Sequence, residues 1–342
     1  MREIGPKRVG VVMGGSSGER EVSLRSGAAV AAALQARGHD IVRIELPADP
    51  TAAADVIQSA GVDVAFLALH GRHGEDGCIQ GLLELCRIPY TGSNVLASAL
   101  AMDKLKAKEL FRLHNVATPP YYMVALGDDL SDIETTHGSF GFPVIVKPRG
   151  EGSSLGVKKA DNIAELVRAI RAALDLDDVV LVERFVAGIE VNVGILDGRA
   201  LGAIEVVPKK GIYDYEAKYT PGMTDYFMPA RLSSTRTRGV LNLAVRAASA
   251  LGCTGPCRVD LLVTKGENEY VLEVNTLPGM TETSLLPKIA AEAGYDFPSL
   301  CEAILEGARL HSSYRRAPVR ERHVSGSFET ETSLDLAARK TA

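Results

Sequence analysis

The sequence predicts a mixed α/β (α+β) protein that opens on a doubly wound parallel sheet. Three observations carry this. Short apolar runs alternate with helical periodicity through residues 1–90, the signature of βαβ units whose strands are buried on both faces. Glycine-rich turns follow the first and third runs, at strand carboxyl ends, where such sheets bind ligands. Beyond residue 180 the apolar runs are joined by short turns, Asp197-Gly198 and Lys265-Gly266-Glu267-Asn268, which read as antiparallel hairpins.

The elements follow in order. Val9 to Met13 is a buried strand, and the Gly14–Gly18 turn opens a helix from about Glu19 to Gln35, stopped by Gly38. Ile41 to Leu46 is a second strand. A helix over Thr51 to Ala60 leads to the apolar strand Val64–Leu69 and a second loop, His70-Gly71-Arg72-His73-Gly74-Glu75-Asp76-Gly77. Met102-Asp103-Lys104 starts a helix to His114, and Thr118-Pro119-Pro120 ends the linker after it. Phe142 to Pro148 is a strand ending in Lys147, followed by the Gly150–Gly156 loop. Ile163, Leu166, Val167, Ile170 and Leu174 recur at helical spacing behind a capping box of Asn162 and Glu165. Val179–Val182 is a strand, Val191–Leu196 and Ala200–Val206 form a hairpin, and Leu241–Leu251 is a helix. Phe297–Leu310 is a last amphipathic helix, and the polar Ser312–Ala342 stretch reads as a mobile tail.

Chemistry concentrates where strands carry charges they would ordinarily avoid. Arg258-Val259-Asp260 and Leu272-Glu273-Val274-Asn275 are apolar runs with acids inside them. Side chains alternate along a strand, so Glu273 and Asn275 share a face, and the 265–268 turn returns Asp260 beside them. Two carboxylates and an amide oxygen suit Mg²⁺, which binds through one or two carboxylates plus substrate phosphates; a solvated sheet face is the alternative. The Leu277-Pro278-Gly279 turn brings backbone close to whatever is held there.

Lys147, at the end of an apolar strand, must meet an anion or solvent. The loop after it offers backbone N–H groups and hydroxyls, as a phosphate cradle or a closing flap needs. It is neither a Walker A loop nor a dinucleotide fingerprint, and a plain surface loop is the alternative. Glu183 closes another apolar strand, either as a simple terminus or facing a nucleobase edge; Glu190 could accept from ribose hydroxyls or be merely solvated. The Tyr213–Tyr219 stretch is unusually aromatic for a chain with only 5% aromatic residues and suits a substrate cover or a packed surface loop. Glu19, at a helix N-terminus, either caps the helix or binds a substrate ammonium.

Composition narrows the class. A chain of 342 residues, 46% hydrophobic and 24% charged, is ordinary for a globular protein of two or three domains. No apolar run approaches the ~18 residues of a transmembrane helix, and residues 1–8 lack a secretory signal. A formal net charge of −5 without a basic block points away from nucleic acid. Five cysteines without a zinc pattern read as small buried hydrophobes in the reducing cytosol, so the expected location is cytoplasmic.

Taken together, six motifs resemble the ATP-grasp superfamily and, more narrowly, the D-alanine–D-alanine ligase family. They are Gly14-Gly15-Ser16-Ser17-Gly18-Glu19-Arg20-Glu21-Val22-Ser23, His70-Gly71 with Gly74-Glu75-Asp76-Gly77, Met102-Asp103-Lys104, Glu151-Gly152-Ser153-Ser154, Tyr213–Tyr219 and Asn275 with Pro278-Gly279-Met280-Thr281. The resemblance runs from Val9 to about Leu310. It implies an ATP-grasp fold with a Rossmann-like domain over 1–95, a central subdomain over 96–183, a catalytic domain over 184–311 and a disordered tail over 312–342.

The resemblance also implies roles. Lys104 and Lys147 would hold ATP phosphates, with Lys218 over the γ-phosphate. Glu183 and the backbone of Val186 would face adenine, and Glu190 the ribose. Asp260, Glu273 and Asn275 would ligate two Mg²⁺, with Mn²⁺ able to substitute. Arg258 and the backbone of Gly279 would polarise the developing oxyanion. Glu19 would take the ammonium of the first D-alanine, His70 would contact substrate, and Ser284 and Leu285 would meet the carboxylate of the second. Ser153 and Tyr219 would meet Glu19 across the site, and a Tyr rather than Phe at 219 accompanies dipeptide formation. The implied reaction joins two D-alanines through a D-alanyl phosphate for peptidoglycan precursors, in an enzyme that commonly forms homodimers through its N-terminal domain. Arg184, where many relatives carry Lys, and Cys257 beside Arg258 depart from the pattern, and the tail has no counterpart. Two other readings stay open: a ligase with a different acceptor, and a nucleotide-binding regulatory protein that has lost catalysis.

Overall fold

Two chain segments far apart in sequence build the first layer. The computed structural model describes residues 6–312, except 211, 212, 214–216, 219, 221, 267 and 282. Strand β1 (Arg8–Gly14) lies between β2 (Asp40–Leu46) and β3 (Val64–Leu67), all parallel. Alternation sends Val9, Val11 and Met13 to one face and Val12 to the other. Helix α1 (Arg20–Ala36) covers the first face; α2 (Ala53–Ser59) and α3 (Cys78–Cys86) cover the second. The doubly wound domain is therefore as expected, with one addition. Leu286, Ala290, Leu300, Cys301 and Ile304, from the other end of the chain, complete the core on the α1 side. Tyr90 extends the sheet as an isolated bridge to Ala65, and Arg309 bridges in turn to Tyr90.

Helix α4 (Val95–Met102) ends at Asp103, whose side chain caps α5 (Lys104–Leu113) by accepting from the Lys106 N–H at 3.0 Å. A four-stranded antiparallel sheet follows, in the order β4 (Tyr121–Ala125), β7 (Val179–Arg184), β5 (Val144–Pro148), β6 (Lys158–Ala160). After the short α6 (Ile133–His137), α7 (Ile163–Leu174) packs on this sheet through Leu166, Ala169, Ile170 and Ala173. Asn162 caps α7 as expected, but Glu165 reaches back to the Asp161 N–H at 2.8 Å.

The third sheet is five-stranded and antiparallel, in the order β10 (Thr224–Phe227), β9 (Arg199–Pro208), β8 (Ile189–Leu196), β11 (Pro256–Val263), β12 (Glu269–Asn275). The Asp197-Gly198 turn joins β8 to β9 with positive φ at both residues, +47° and +75°. Helix α8 (Ser234–Ala250) fills one face with Val240, Ala244, Ala247 and Ala248. Helix α9 (Leu285–Glu292) packs on the opposite face against Ile204 and Val206, and α10 (Phe297–Glu306) follows it. The described residues through His311 form one compact unit.

Several expected boundaries move. The helix expected from Leu241 begins at Ser234, because the Ser233 hydroxyl accepts from the Arg236 N–H and adds two polar turns. The last helix ends at Glu306 rather than Leu310, since the chain leaves it to meet Tyr90. The strand expected to end at Val182 runs to Arg184, so the expected domain boundary after residue 183 falls inside it. The strand expected to Leu69 stops at Leu67. Cys257 and Cys301 are buried as expected, whereas Cys78 is exposed at the start of α3. Tyr219 and the 313–342 stretch lie outside the described residues.

Candidate active site

A bulge aims the acidic hairpin. In β11, Val259 and Leu261 face α8, so Arg258 and Asp260 face the other way. Arg258 pairs with Asn275 and Asp260 with Glu273, but the register then shifts and Leu261 pairs with Val271. The extra residue lets Leu272 and Glu273 both line the cavity beside Asp260 while Val271 and Val274 stay in the core. Asp260, 3% exposed, receives Arg258 as a fork, Nε to Oδ1 at 2.7 Å and Nη2 to Oδ2 at 2.9 Å. The Asn275 amide donates to Asp260 Oδ2 at 3.2 Å, an arrangement that orients its own oxygen.

Cations face these acids. Lys104 opens α5 and Lys147 ends β5, as the sequence suggested. Lys104 Nζ donates to the Glu151 carbonyl at 2.5 Å and lies 3.8 Å from Glu273 Oε2. Burial alone would raise the Glu273 carboxyl, but Lys104, Lys218, Lys147 and Arg258 hold it at about 2. Glu190 behaves oppositely: burial, then the charge of Asp260, pushes it up to about 8. For Arg258, burial opposes the charge and Asp260 overrides it, raising the guanidinium further.

Two adjoining cavities result. The larger, about 340 Å³, is lined by Lys104, Lys147, Glu183, Val186, Glu190, Asp260 and Glu273. The smaller, about 130 Å³, is lined by Glu19, His70, Ser153, Arg258, Asn275, Gly279, Ser284 and Leu285. Lys218 and Tyr213 line both, at the junction. Every site residue expected from the sequence therefore falls on one of two touching cavities, Tyr219 excepted as undescribed.

Local structure explains each placement in the smaller cavity. Glu19 occupies the N-cap of α1, yet its side chain does not cap; it accepts from the Ser153 hydroxyl across the cavity. Gly152 permits this approach, since a Cβ there would lie 2.7 Å from Glu19 Oε2. Ser153 and Ser154 both have positive φ, and the Ser154 hydroxyl donates to the Tyr213 carbonyl at 3.1 Å. The Gly150–Gly156 loop is thus seated on the first layer and on the aromatic stretch, the arrangement of a closed flap. Gly279 has a similar need, because a Cβ would sit 2.7 Å from Ser284 Oγ. Ser284 accepts from the Thr281 N–H at 3.0 Å and does not cap α9, whose N-terminal residues Ser284 and Leu285 line the cavity. Burial pushes the His70 imidazole below its ordinary range, favouring the neutral ring.

Two residues were not singled out from the sequence. Lys108 follows Lys104 by one helical turn and is fully buried, a pairing that i, i+4 spacing could have signalled. Glu75 accepts from the Gly71 N–H at 2.7 Å and the Leu277 N–H at 3.3 Å, tying the first layer to the Pro278 turn. Enclosure by protein, then the charge of Glu19, pushes Glu75 up to about 8. A carboxyl raised in the folded state binds a proton that the unfolded chain releases, so stability is full at acid pH and falls as pH climbs towards 8. The melting temperature should drop between pH 5 and pH 8 and drop less in Glu75→Gln, measured by thermal melts across that range; parallel curves would reject the assignment.

Residues 110–306 match the family model described as D-ala D-ala ligase C-terminus, and residues 47–93 match D-ala D-ala ligase N-terminus. A D-alanine–D-alanine ligase of Geotalea uraniireducens is 52% identical over 313 residues, covering 91% of this chain and 98% of that protein. One from an Anaeromyxobacter species is 52% identical over 304 residues, covering 89% and 97%. The crystal structure of the Bacillus anthracis D-alanine–D-alanine ligase complexed with ATP superposes with a TM-score of 0.78 at 36% identity, covering 89% of this chain and 97% of that one. The VanG D-Ala:D-Ser ligase of Enterococcus faecalis gives 0.78 at 29% identity, covering 88% and 99%. With half of its residues shared along nearly the whole of such relatives, the chain belongs to the D-alanine–D-alanine ligase family.

Proposed function

We propose that the chain joins two D-alanines at the expense of ATP, supplying D-alanyl-D-alanine for peptidoglycan precursors. The observation that carries this reading is the contact of the two cavities at Lys218 and Tyr213, which sets a larger cleft carrying Lys104, Lys147 and the acids Asp260 and Glu273 against a smaller one walled by Glu19 and Arg258.

A carboxylate is a poor acyl donor because its leaving group would be oxide. Transfer of the γ-phosphoryl group onto the first D-alanine gives an acyl phosphate with a good leaving group. In this reading Lys104, Lys147 and Lys218 hold the phosphates, and catalysis is mostly positioning and charge stabilisation. Glu183 and the Val186 backbone face the base, and Glu190 the ribose. Glu19 binds the first ammonium. Ser284 and the N-terminal N–H groups of α9, starting at Leu285, receive the second carboxylate, which helix N-termini favour. Arg258 and the Gly279 N–H stabilise the tetrahedral oxyanion formed when the second amine attacks. The flap, latched through Ser153 and Glu19, keeps water from the acyl phosphate.

The donor set fits magnesium. Asp260, Glu273 and Asn275 offer two carboxylates and an amide oxygen on one face; among the described residues no third Asp, Glu, His or Cys joins a cluster, which leaves coordination to be completed by phosphates and water. Those three residues would hold two Mg²⁺, or Mn²⁺ in its place, supplying positive charge to the transferring phosphoryl group. A homodimer accords with the exposed Leu85 (85%) and Leu96 (66%) on α3 and α4. A cytoplasmic location accords with five unpaired cysteines; no described helix is long and apolar enough to cross a membrane.

Phosphate release from Mg-ATP tests the reading, with D-alanine, L-alanine, D-alanine plus D-lactate and D-alanine plus D-serine as substrates and products weighed by mass spectrometry. D-alanine alone should turn over and yield the dipeptide. A D-alanyl-D-serine product would move the acceptor towards that named for the VanG neighbour, a D-lactate product would make it a hydroxyl acid, and no turnover despite ATP binding would overturn the assignment.

A further inference from the structure

Glu183, at the wall of the larger cavity, is held by two lysines on a single oxygen. Lys147 Nζ lies 2.7 Å and Lys108 Nζ 3.0 Å from Glu183 Oε1. The two cations are not equivalent. Lys147 lines the cavity, whereas Lys108 does not and is 0% exposed. The Lys108 ammonium also donates to Thr118 Oγ1 at 2.5 Å and stands 5.6 Å from the Tyr121 ring centroid. Its contacts other than Glu183 are with Thr118 and Tyr121, neither of which lines the cavity.

A buried carboxylate needs a counter-ion, and a buried ammonium needs an anion. With one lysine the pair would be neutral and closed. Lys147 could then turn to a phosphate only by leaving Glu183 uncompensated. With two lysines the cluster carries one surplus positive charge, and either cation can leave while the carboxylate stays paired. Only Lys147 has anywhere to go.

We propose that Lys108 is a positioning residue: it is the resident counter-ion of Glu183, and it frees Lys147 to bind a nucleotide phosphate. Burial pushes the Lys108 ammonium down to about 8 and Glu183 opposes the fall, so it remains charged at neutral pH. The helix makes the arrangement economical. Lys104 and Lys108 are one turn apart on α5, so the same stripe that presents one phosphate lysine anchors the partner of the other.

The inference rests on the nucleotide placement proposed above, and the experiment separates the two. Equilibrium ATP binding by calorimetry, and KM and kcat from phosphate release, are measured for the full chain, Lys147→Met, Lys108→Met, Glu183→Gln and the Lys108→Met/Glu183→Gln double variant. Lys147→Met should weaken ATP binding; if it does not, the nucleotide placement itself fails. Lys108→Met should raise KM for ATP about tenfold with kcat changed less than about threefold. In the Glu183→Gln background, where no carboxylate captures Lys147, the same Lys108 change should cost less than about twofold. Unchanged ATP affinity in Lys108→Met, or an equal loss in both backgrounds, would show that Lys108 only packs and would overturn the proposal. Lys108→Gln, which keeps a donor for Thr118 without the charge, replaces Lys108→Met should that variant fail to fold.

Discussion

Replacing Glu273 by Gln should lower phosphate release from Mg-ATP on the order of 10³-fold, the scale of losing a group that organises charge on a transferring phosphoryl group. The same change should leave ATP binding in the presence of a chelator intact or tighter. Glu273 is the anion around which Lys104, Lys218 and Lys147 gather, lying 3.8 Å from Lys104 Nζ. Without it those cations have more potential left for a bare triphosphate and less order for the metal-bound one. Phosphate release and calorimetry with and without magnesium distinguish the two effects. Unchanged release would remove Glu273 from the metal set.

Arg258→Met should be the most damaging single change for stability as well as for turnover. The guanidinium forks onto Asp260, which is 3% exposed. Removing one partner of a buried pair leaves the other uncompensated, at a cost of about 3–5 kcal/mol. Magnesium should return part of that loss by giving Asp260 a new counter-charge, so thermal melts of this variant should respond to the metal more than those of the parent. Turnover should fall by about 10²–10³-fold, and magnesium should not restore it, because in the proposed mechanism the lost donor also faces the reacting carbonyl. Arg258→Lys keeps a charge without the fork and should recover stability before activity. Equal metal dependence in parent and variant would argue that Asp260 is no ligand.

The two variants probe one hairpin from opposite sides, and that hairpin was also the most legible part of the sequence. Acids inside an apolar strand are unusual enough to be noticed, and strand alternation puts Glu273 and Asn275 on one face without further information. The bulge at Leu272 was not visible, because a bulge depends on how the partner strand is registered, and register is a property of two segments. Lys147 announced itself by ending an apolar strand. Lys108 did not, since a lysine in a helix ordinarily faces solvent and only the burial of its neighbour Lys104 changes that expectation. Glu75 was quoted within a motif, yet its role as a tie between the Gly71 and Leu277 backbones needed the two loops in place. The short strands β4, β6 and β10 and the helices α3, α4 and α9 also went unread. Each is ten residues or fewer, too short for periodicity to rise above the surrounding chain. The extra turns of α8 were missed because they are mostly polar and are held by Arg236, through the Thr264, Gly266 and Asn268 carbonyls and Glu269, rather than by an apolar stripe.

The first layer is closed by the last helices: residues 286–305 fill the α1 side of the parallel sheet, and Arg309 bridges to Tyr90. During synthesis this ordering has a cost in time. When the first hundred residues leave the ribosome, their strands and α1 are present but one side of their apolar core is not. At about 5–20 residues per second, roughly 10–40 s pass before the missing helices emerge. The N-terminal layer therefore waits with part of its α1 side uncovered, while the four-stranded sheet already has its covering helix α7. A stop codon shortly before Phe297 would not merely trim an end of this protein; it would take Leu300, Cys301, Ile304 and Leu305 out of the core of its beginning.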